Sequence, residues 1–298
     1  MTLPRIDTLV SYPGQALSGT GTVLHVDGNV ATHDGQKVVL VDATPFHPVD
    51  AGWPDQGPDT GTLSTDTDTW PVLDCVVAAT DGAALHLGAD IPVRKGTDGW
   101  AFVVAHLLPG DAAVTEGAAV ALRVDAERRR ALSLGHTGCH LASLALNRAL
   151  APRWTKETRA DALGAPDFDG AAIASSTITE FGAVDVYRLN KSLRRKGFGA
   201  DWLTGGGLDD GLAGLAADVN ATLAEWVATG APVRVDCDGP ALTDRRYWVA
   251  GLPGGAASIP CGGTHAASLA ELAGLRADFT LGEADGTMTL TMTTRCEP

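Results

Sequence analysis

Residues 126–152 of this 298-residue chain read AERRRALSLGHTGCHLASLALNRALAP. Leucine and alanine recur in this stretch at intervals of three and four residues, the spacing that places apolar side chains on one face of an α-helix. Proline cannot continue a helix, so we predict that the helix ends before Pro152. One long helix therefore separates two regions of different sequence character.

The region before this helix is predicted to be β-structure. Six short segments rich in β-branched residues lie between residues 20 and 126, separated by turn-forming Gly, Asp, Asn and Pro. They are TGTVLHV, KVVLVDA, WPVLDCVVAA, AALHLG, WAFVVAHL and AVALRVDA. Short strands at this spacing are typical of small barrels and sandwiches. We predict a small β-barrel-like domain over residues 1–125.

The region after the start of the helix, residues 126–298, is predicted to be a mixed α+β domain. A helical pattern and a glycine-rich loop fall near its middle, and a short helix and a hairpin lie near the C-terminus. The corresponding segments are the loop at 205–207, LDDGLAGLAADVNATLAEWVATG at 208–230, AASLAELAGL at 266–275 and FTLGEADGTMTLTMTT at 279–294. The fold class is therefore α+β.

Cysteine usage and hydropathy predict the compartment. The five cysteines are odd in number and lack the spacing of a secreted disulfide framework, which favours a reduced cytosolic protein. The N-terminus has no signal-peptide pattern, and no stretch reaches the ~18 apolar residues of a membrane helix. We expect a soluble cytoplasmic protein that does not act at a membrane.

Charge is unevenly distributed along the chain. The formal net charge is −14, which disfavours a protein that coats nucleic acid. Residues 1–127 contain 5 Lys/Arg against 17 Asp/Glu, whereas residues 128–298 contain 17 against 19. Five cations without an intervening acid occupy one nine-residue segment: Arg188, Lys191, Arg194, Arg195 and Lys196. This segment is the predicted contact for a polyanion, and a solvated basic helix face is the alternative.

Two pairs of residues suggest a metal site. His136 and His140 are four residues apart in the predicted helix, so both rings project from the same face. Cys261 and His265 repeat the interval in C-G-G-T-H, where two glycines permit a tight turn. Nitrogen and sulfur donors together favour zinc, and we predict one Zn²⁺ bound by all four residues. Cys139 faces the other side of a regular helix and is predicted to be a core residue.

The number of ligands bears on the role of the zinc. Four protein ligands make a closed structural site, whereas a catalytic site keeps one position for water or substrate. In a catalyst either His140 or His265 would be held loosely or displaced, and the sequence leaves both alternatives open.

Motifs of several other enzyme classes are absent from the sequence. The chain has no complete G-x-G-x-x-G dinucleotide fingerprint and no G-x-x-x-x-G-K-[ST] phosphate loop. It also lacks the G-x-S-x-G nucleophile elbow and the H-E-x-x-H zinc protease motif.

The combination H-T-x-x-H-L followed by a distant C-G-G-T-H resembles the editing domain of alanyl-tRNA synthetase. It is also similar to the free-standing trans-editing proteins and to the second additional domain of threonyl-tRNA synthetase. Further matching segments occur in the family's order and extend over most of the chain. They are T-P-F-H-P at 44–48, Q-G-P-D-T-G at 56–61, V-D-A-E-R-R-R at 124–130, D-V-N at 218–220, and Glu271 after C-G-G-T-H.

This resemblance implies a zinc-dependent deacylase that hydrolyses the ester of a mischarged tRNA. The zinc ligands, which are also the candidate catalytic residues, would be His136, His140, Cys261 and His265. Thr44 and Gln56 would contribute to the amino-acid pocket, although Thr44 is equally compatible with an ordinary strand threonine. The five basic residues at 188–196 would contact the tRNA.

The resemblance leaves the substrate open. Members typically act on Ser or Gly attached to tRNA-Ala, and specialised members remove a threonine analogue such as fluorothreonine from tRNA-Thr. Pro54 and Asp55 replace the paired glycines of the family's loop. A different class of function is also open: a zinc-dependent hydrolase of small amino-acid esters or amides, or a zinc-stabilised binding module without an RNA substrate.

Overall fold

The structure is a computed structural model that describes residues 3–28, 35–203 and 211–298. It is a mixed α+β protein, built mostly of sheets with few helices. The loop predicted at 205–207 lies outside the described residues. None of the helices in these ranges combines the length and apolar character that crossing a membrane requires.

The strands and helices are numbered in chain order. The strands are β1 Leu9–Val10, β2 Ser18–Asp27, β3 Gln36–Val41, β4 Ala43–Thr44, β5 Gly61–Ser64, β6 Thr69–Val72, β7 Asp74–Thr80, β8 Leu85–Leu87, β9 Ala101–Pro109, β10 Ala119–Val124, β11 Ile173–Thr179, β12 Gly182–Arg188, β13 Val233–Cys237, β14 Arg246–Leu252, β15 Gly255–Pro260, β16 Arg276–Ala284 and β17 Thr287–Arg295. The helices are α1 Ala126–Leu150, α2 Phe168–Ala172, α3 Lys191–Arg195 and α4 Leu212–Val227.

The chain divides into two compact units. The first comprises Met1–Arg130, Val235–Arg246 and Gly262–Thr264. The second comprises Ala131–Arg234, Tyr247–Cys261 and His265–Pro298. Two short segments from the C-terminal half thus belong to the unit formed by the N-terminal half.

An antiparallel eight-stranded sheet dominates the first unit. Its strand order is β6-β5-β10-β2-β3-β9-β7-β8, and a short parallel pair, β1 and β4, accompanies it. Closure of a barrel requires its two edge strands to pair, and the described strands form no closed barrel. The prediction of β-structure before α1 is confirmed, but the prediction of a barrel is wrong. Strand spacing along the sequence cannot tell an open sheet from a closed one.

A four-stranded antiparallel sheet with the order β11-β12-β17-β16 lies in the second unit. β16 and β17 form the predicted C-terminal hairpin, with Asp285 and Gly286 both at positive φ in its turn. Asp-Gly suits a turn of this kind because both central residues must adopt left-handed conformations. The core of this unit includes the fully buried Tyr187, Trp226 and Trp248.

Helix α1 confirms the prediction made from its Leu/Ala spacing. It follows Asp125, whose carboxylate accepts hydrogen bonds from the backbone N–H groups of Glu127 and Arg128. This contact caps the N-terminus, where the first N–H groups lack helical partners. The helix ends at Leu150, before Pro152, as predicted.

The helix predicted at 266–275 is wrong, whereas the one predicted within 208–230 is confirmed as α4. Only a single 3-10 turn, Leu269–Glu271, forms in the first of these segments. Ser268 and Glu271 form a capping box there, which is a helix-start signal. Gly274, at φ 64°, then turns the backbone away, so the start signal is followed by a stop within one turn.

Candidate metal centre

The four predicted ligands come together in the second unit. One potential ligand atom from each of His136, His140, Cys261 and His265 lies within 4.8 Å of all the others. The Cys261 Sγ atom is 3.4 Å from His136 Nε2 and 3.3 Å from His265 Nε2. The two pairs, separated by more than 100 residues in the sequence, thus form one cluster.

Helix α1 and the turn after β15 position these side chains. His136 and His140 are one helical turn apart, and their ring centroids are 4.9 Å apart. The His265 ring lies 4.4 Å from the ring of His136 and 5.2 Å from that of His140. Trp248, fully buried on β14, lies 5.1 Å from the His140 ring and provides an apolar wall.

The donor spacing fits zinc. Zn–S bonds of ~2.3 Å and Zn–N bonds of ~2.0–2.1 Å at tetrahedral angles place sulfur and nitrogen about 3.5 Å apart. The two sulfur–nitrogen distances at Cys261 are close to this value. The cluster could hold a metal ion. Its donors are three imidazoles and one thiol, a set that favours zinc.

His140 gives a second indication that these residues fit a metal. Its Nε2 atom is buried and has no hydrogen-bond partner among the described residues. An unsatisfied buried polar atom costs about 1–3 kcal/mol, and a metal bond would satisfy it. Burial lowers the pKa of His140 to about 4, so the ring is neutral near pH 7 and its lone pair can bind a cation.

Thr137 orients one of the ligands. Its Oγ1 atom lies 3.3 Å from His265 Nδ1 and accepts a hydrogen bond from the backbone N–H of Ala266. If Nε2 of His265 binds a metal ion, Nδ1 carries the proton and donates to Thr137. A second contact of this kind fixes the tautomer and the orientation of a metal-binding histidine. Thr137 was not predicted as a site residue, although its place in H-T-x-x-H is a signal that could have identified it.

Cys139 does not join the cluster, as predicted. Its buried thiol donates to the Asp185 carboxylate, with sulfur–oxygen distances of 3.5 and 3.6 Å. Burial, reinforced by the charge of Asp185, raises the pKa of the Cys139 thiol well above its usual value. The Cys139 thiol thus lies outside the four-residue cluster.

Matching motifs of the first unit meet at a buried ion pair. Arg129 donates to the carboxylate of Asp59, and both side chains are almost fully buried. Arg129 also donates to the carbonyl of Pro45, while Asp59 accepts from the backbone N–H of His47. The segments 44–48, 56–61 and 124–130 are therefore joined by one hydrogen-bonded network, which sequence reasoning did not predict.

Thr44 and Gln56, the predicted pocket residues, are both buried. The Thr44 hydroxyl lies 2.9 Å from His106 Nε2, and His106 Nδ1 lies 3.2 Å from the Val39 carbonyl. The Gln56 side-chain amide donates to Thr264 Oγ1 at 2.8 Å and accepts from the Thr264 backbone N–H at 3.0 Å. Gln56 thereby fixes the fourth residue of C-G-G-T-H. Substrate contact by Thr44 or Gln56 stays a prediction.

The five predicted basic residues are all exposed. Arg188 ends β12, and the other four lie on or directly after the short helix α3: Lys191, Arg194, Arg195 and Lys196. Arg188 is 4.0 Å from the Asp285 carboxylate, which offsets part of its charge. Their proposed contact with tRNA is not tested by their position.

Comparison with known proteins identifies a related tRNA ligase. The chain is 32% identical over 154 residues to an alanine–tRNA ligase of Pseudomonas entomophila strain L48. The match covers 50% of this chain but only 15% of the length of that enzyme. No protein-family model matches the chain. The likeness supports a relation to the alanyl-tRNA synthetase family.

Proposed function

We propose, from this likeness and from the four-residue cluster, that the chain is a zinc-dependent aminoacyl-tRNA deacylase that removes a wrong amino acid from tRNA. The observation that carries the proposal is the convergence of His136, His140, Cys261 and His265 within 4.8 Å. The relation to alanyl-tRNA synthetases makes tRNA the proposed partner. The free-standing trans-editing proteins, which the sequence resembles, are the functional comparison that we propose.

Zinc bound by these residues would supply Lewis-acid polarisation of the ester carbonyl and a lowered pKa for a water molecule. The side chains prepare the site for that ion. Cys261 provides the soft donor, and the low pKa of His140 keeps its imidazole neutral and able to bind. Thr137 holds the His265 ring in place through Nδ1. Trp248 excludes water from one side of His140.

Catalysis requires one position that water or substrate can take, so either His140 or His265 would have to yield its place.

The hydrogen bonds of the Thr44 hydroxyl favour a substrate whose amino acid carries a polar side chain. The Val39 carbonyl can only accept, so the proton of His106 is on Nδ1, and Nε2 accepts the Thr44 proton. Burial lowers the pKa of His106 to about 4, which keeps this ring neutral. The Thr44 oxygen also accepts from the backbone N–H of Phe46 at 3.2 Å, which leaves it one further lone pair. We propose that it accepts from the hydroxyl of serine or of a threonine analogue.

The exposed basic residues would bind the tRNA. Backbone phosphates of tRNA would be bound by the predicted set of Arg188, Lys191, Arg194, Arg195 and Lys196. The acidic first half of the chain, with 5 Lys/Arg against 17 Asp/Glu over residues 1–127, would disfavour phosphate binding there.

A deacylation panel tests the proposed function. The zinc-loaded protein is incubated with Ser-, Gly- and Ala-tRNA-Ala, with Thr-tRNA-Thr and fluorothreonyl-tRNA-Thr, and with a small aminoacyl ester. We expect rapid hydrolysis of one mischarged tRNA and slow hydrolysis of the correctly charged ones. Hydrolysis of the small ester alone would support a small-ester hydrolase instead. Zinc binding without any hydrolysis would support a binding module.

A further inference from the structure

Lys156 joins the predicted basic segment in space although it lies far from it in sequence. Its ammonium group donates to the Arg195 carbonyl at 3.0 Å, at the end of α3. Lys156 and Arg195 are both exposed. The ammonium group has two further N–H donors besides the one used here. The positive charge of Lys156 is therefore added to that of α3.

Backbone pairing between segments 153–156 and 197–199 fixes this arrangement. The backbone N–H of Thr155 donates to the Gly197 carbonyl at 2.9 Å, and the N–H of Gly199 donates to the Arg153 carbonyl at 3.0 Å. Trp154 and Phe198 stand opposite each other, with ring centroids 5.3 Å apart. The two segments thus form a short ladder that holds Lys156 beside α3.

Gly197 permits the close approach. Its φ is 104°, a left-handed conformation that favours glycine, and a Cβ atom there would lie 2.8 Å from Lys156 Cβ. Any other residue would push the two segments apart. The position of Lys156 is therefore built into the local backbone.

Like charges placed together repel one another and gain nothing for the fold. Here five exposed cations, which we call the basic surface, are concentrated on one part of a chain whose net charge is −14. They are Lys156, Lys191, Arg194, Arg195 and Lys196. Such a concentration is typical of a surface that meets a polyanion.

We infer that the basic surface, including Lys156, binds the sugar-phosphate backbone of RNA, independently of the aminoacyl end. The inference rests on the proposed function in making tRNA the partner. Lysine and arginine on an exposed surface bind phosphates without reading bases. The contact would therefore be equally strong for tRNAs of different sequence.

Binding of uncharged tRNA tests this inference without any hydrolysis. Fluorescence anisotropy gives Kd for labelled tRNA-Ala and tRNA-Thr transcripts at several NaCl concentrations. Lys156→Gln should lower the log–log salt slope by about 0.7–0.9 for each lost phosphate contact. The triple variant R194Q/R195Q/K196Q should lower it by about two to three, and Lys156→Arg should restore the wild-type slope.

Arg276→Gln is the matched control. Arg276 is exposed on β16 and stands opposite Arg295 of β17, which in turn stands opposite Gly182 of β12. Gly182 and Arg188 are the two ends of β12, six residues or about 20 Å apart at the rise of a strand. This variant removes one charge from outside the basic surface, and its salt slope should equal that of the wild type.

Three results would overturn the inference. The salt slope of tRNA binding could be unchanged in Lys156→Gln, or Arg276→Gln could lower it equally. Alternatively, binding to phosphatidylserine vesicles could depend on Lys156 while binding to tRNA does not. Circular dichroism of each variant checks that the fold is intact. Because uncharged tRNA has no ester, tRNA binding that depends on Lys156 would uphold the inference even if the deacylation panel failed.

Discussion

At the scale of single residues, spacing along the sequence identified the four residues of the candidate metal cluster. The two four-residue intervals, one on a helix and one in a glycine turn, predicted each pair. The meeting of the pairs depends on how α1 and the turn after β15 pack, which no interval encodes. Thr137 and His106 were missed for the same reason, because their partners, His265 and Thr44, are distant in sequence.

The contact between Thr137 and His265 gives the first prediction for a single residue. Thr137→Val keeps the side-chain shape but removes the acceptor for His265 Nδ1. Loss of such a partner typically costs 10–100-fold in metal affinity. We expect zinc affinity, measured by competition with a chelator, to fall in that range. Thr222→Val, a buried threonine on α4, is the control and should leave the affinity unchanged; equal losses would show that Thr137 acts only through stability.

Thr44 gives the second prediction at this scale. Thr44→Val removes the hydroxyl that donates to His106 and accepts from the Phe46 N–H, at a cost of roughly 1 kcal/mol for each hydrogen bond. If the oxygen also accepts from the substrate, the ratio of deacylation rates on Ser-tRNA and Ala-tRNA should fall. The control is Thr80→Val, which changes a buried threonine on β7 and should leave the ratio unchanged. An unchanged ratio in Thr44→Val would remove Thr44 from the amino-acid pocket.

At the scale of elements, glycine sets how closely α1 approaches its neighbours. A Cβ atom on Gly135 would lie 2.3 Å from the Thr179 carbonyl oxygen and 2.5 Å from that of Gly182. Backbone atoms cannot move aside cheaply, whereas glycine within a helix costs about 1 kcal/mol relative to alanine. Glycine at position 135, directly beside His136, thus fits the close approach despite its low helix propensity.

Gly135→Ala should therefore destabilise the protein. Overpacking against backbone typically costs about 1–3 kcal/mol, more than the helix propensity gained. Gly138→Ala is the matched control, because the nearest neighbours of its Cβ atom would be side-chain ends and not backbone: Leu275 Cδ1 at 3.0 Å, Thr294 Cγ2 at 3.6 Å and Leu272 Cδ2 at 3.9 Å. We expect urea unfolding to show a clear loss for Gly135→Ala and a much smaller change for Gly138→Ala. Equal effects would mean that the close approach does not limit the packing of α1.

Elements with strong, long patterns were predictable, and short ones were not. Twenty-five residues of Leu/Ala spacing gave α1 its correct bounds. The ten-residue pattern at 266–275 predicted a helix, but the capping box at Ser268 and the turn at Gly274 leave room for only one 3-10 turn. A local start signal and a local stop signal outweighed periodicity there.

At the scale of the whole molecule, buried histidines predict a loss of stability in acid. Burial lowers the pKa of His106 and of His47 to about 4, against 6.5 when unfolded. Between pH 6.5 and pH 4 the unfolded state binds more protons at these sites, so the free energy of unfolding falls as the pH falls. Each histidine contributes up to ~1.4 kcal/mol per pH unit to that slope.

His106→Gln isolates one of these protons. Urea unfolding of wild type and variant between pH 4 and pH 6.5 compares the two slopes, since all other titrating groups are common to both proteins. The free energy of unfolding should fall less steeply with falling pH in His106→Gln than in the wild type. Between pH 7 and pH 8 the free energies of the two proteins should change in parallel. Parallel behaviour across the acid range would show that His106 does not titrate differently on folding.

The global arrangement was the part that the sequence predicted least well. Strand-rich sequence before residue 126 was recognised, but whether β6 and β8 meet to close a barrel depends on contacts remote along the chain. The contribution of segments 235–246 and 262–264 to the first unit was likewise not foreseen. The concentration of charge at 188–196 was visible, but Lys156 joined it only through the ladder at Gly197.

Zinc titration of the stripped protein tests whether zinc held by the four-residue cluster drives deacylation. Metal is removed with a chelator, and the single-turnover rate on the best mischarged tRNA of the panel is followed as zinc is returned. Wild type and Cys139→Ala should both regain full rate at about one zinc per chain, because Cys139 faces Asp185. Cys261→Ala, which lacks the thiolate ligand, should regain neither stoichiometric zinc nor rate. Full zinc content and wild-type rate in Cys261→Ala would contradict the account.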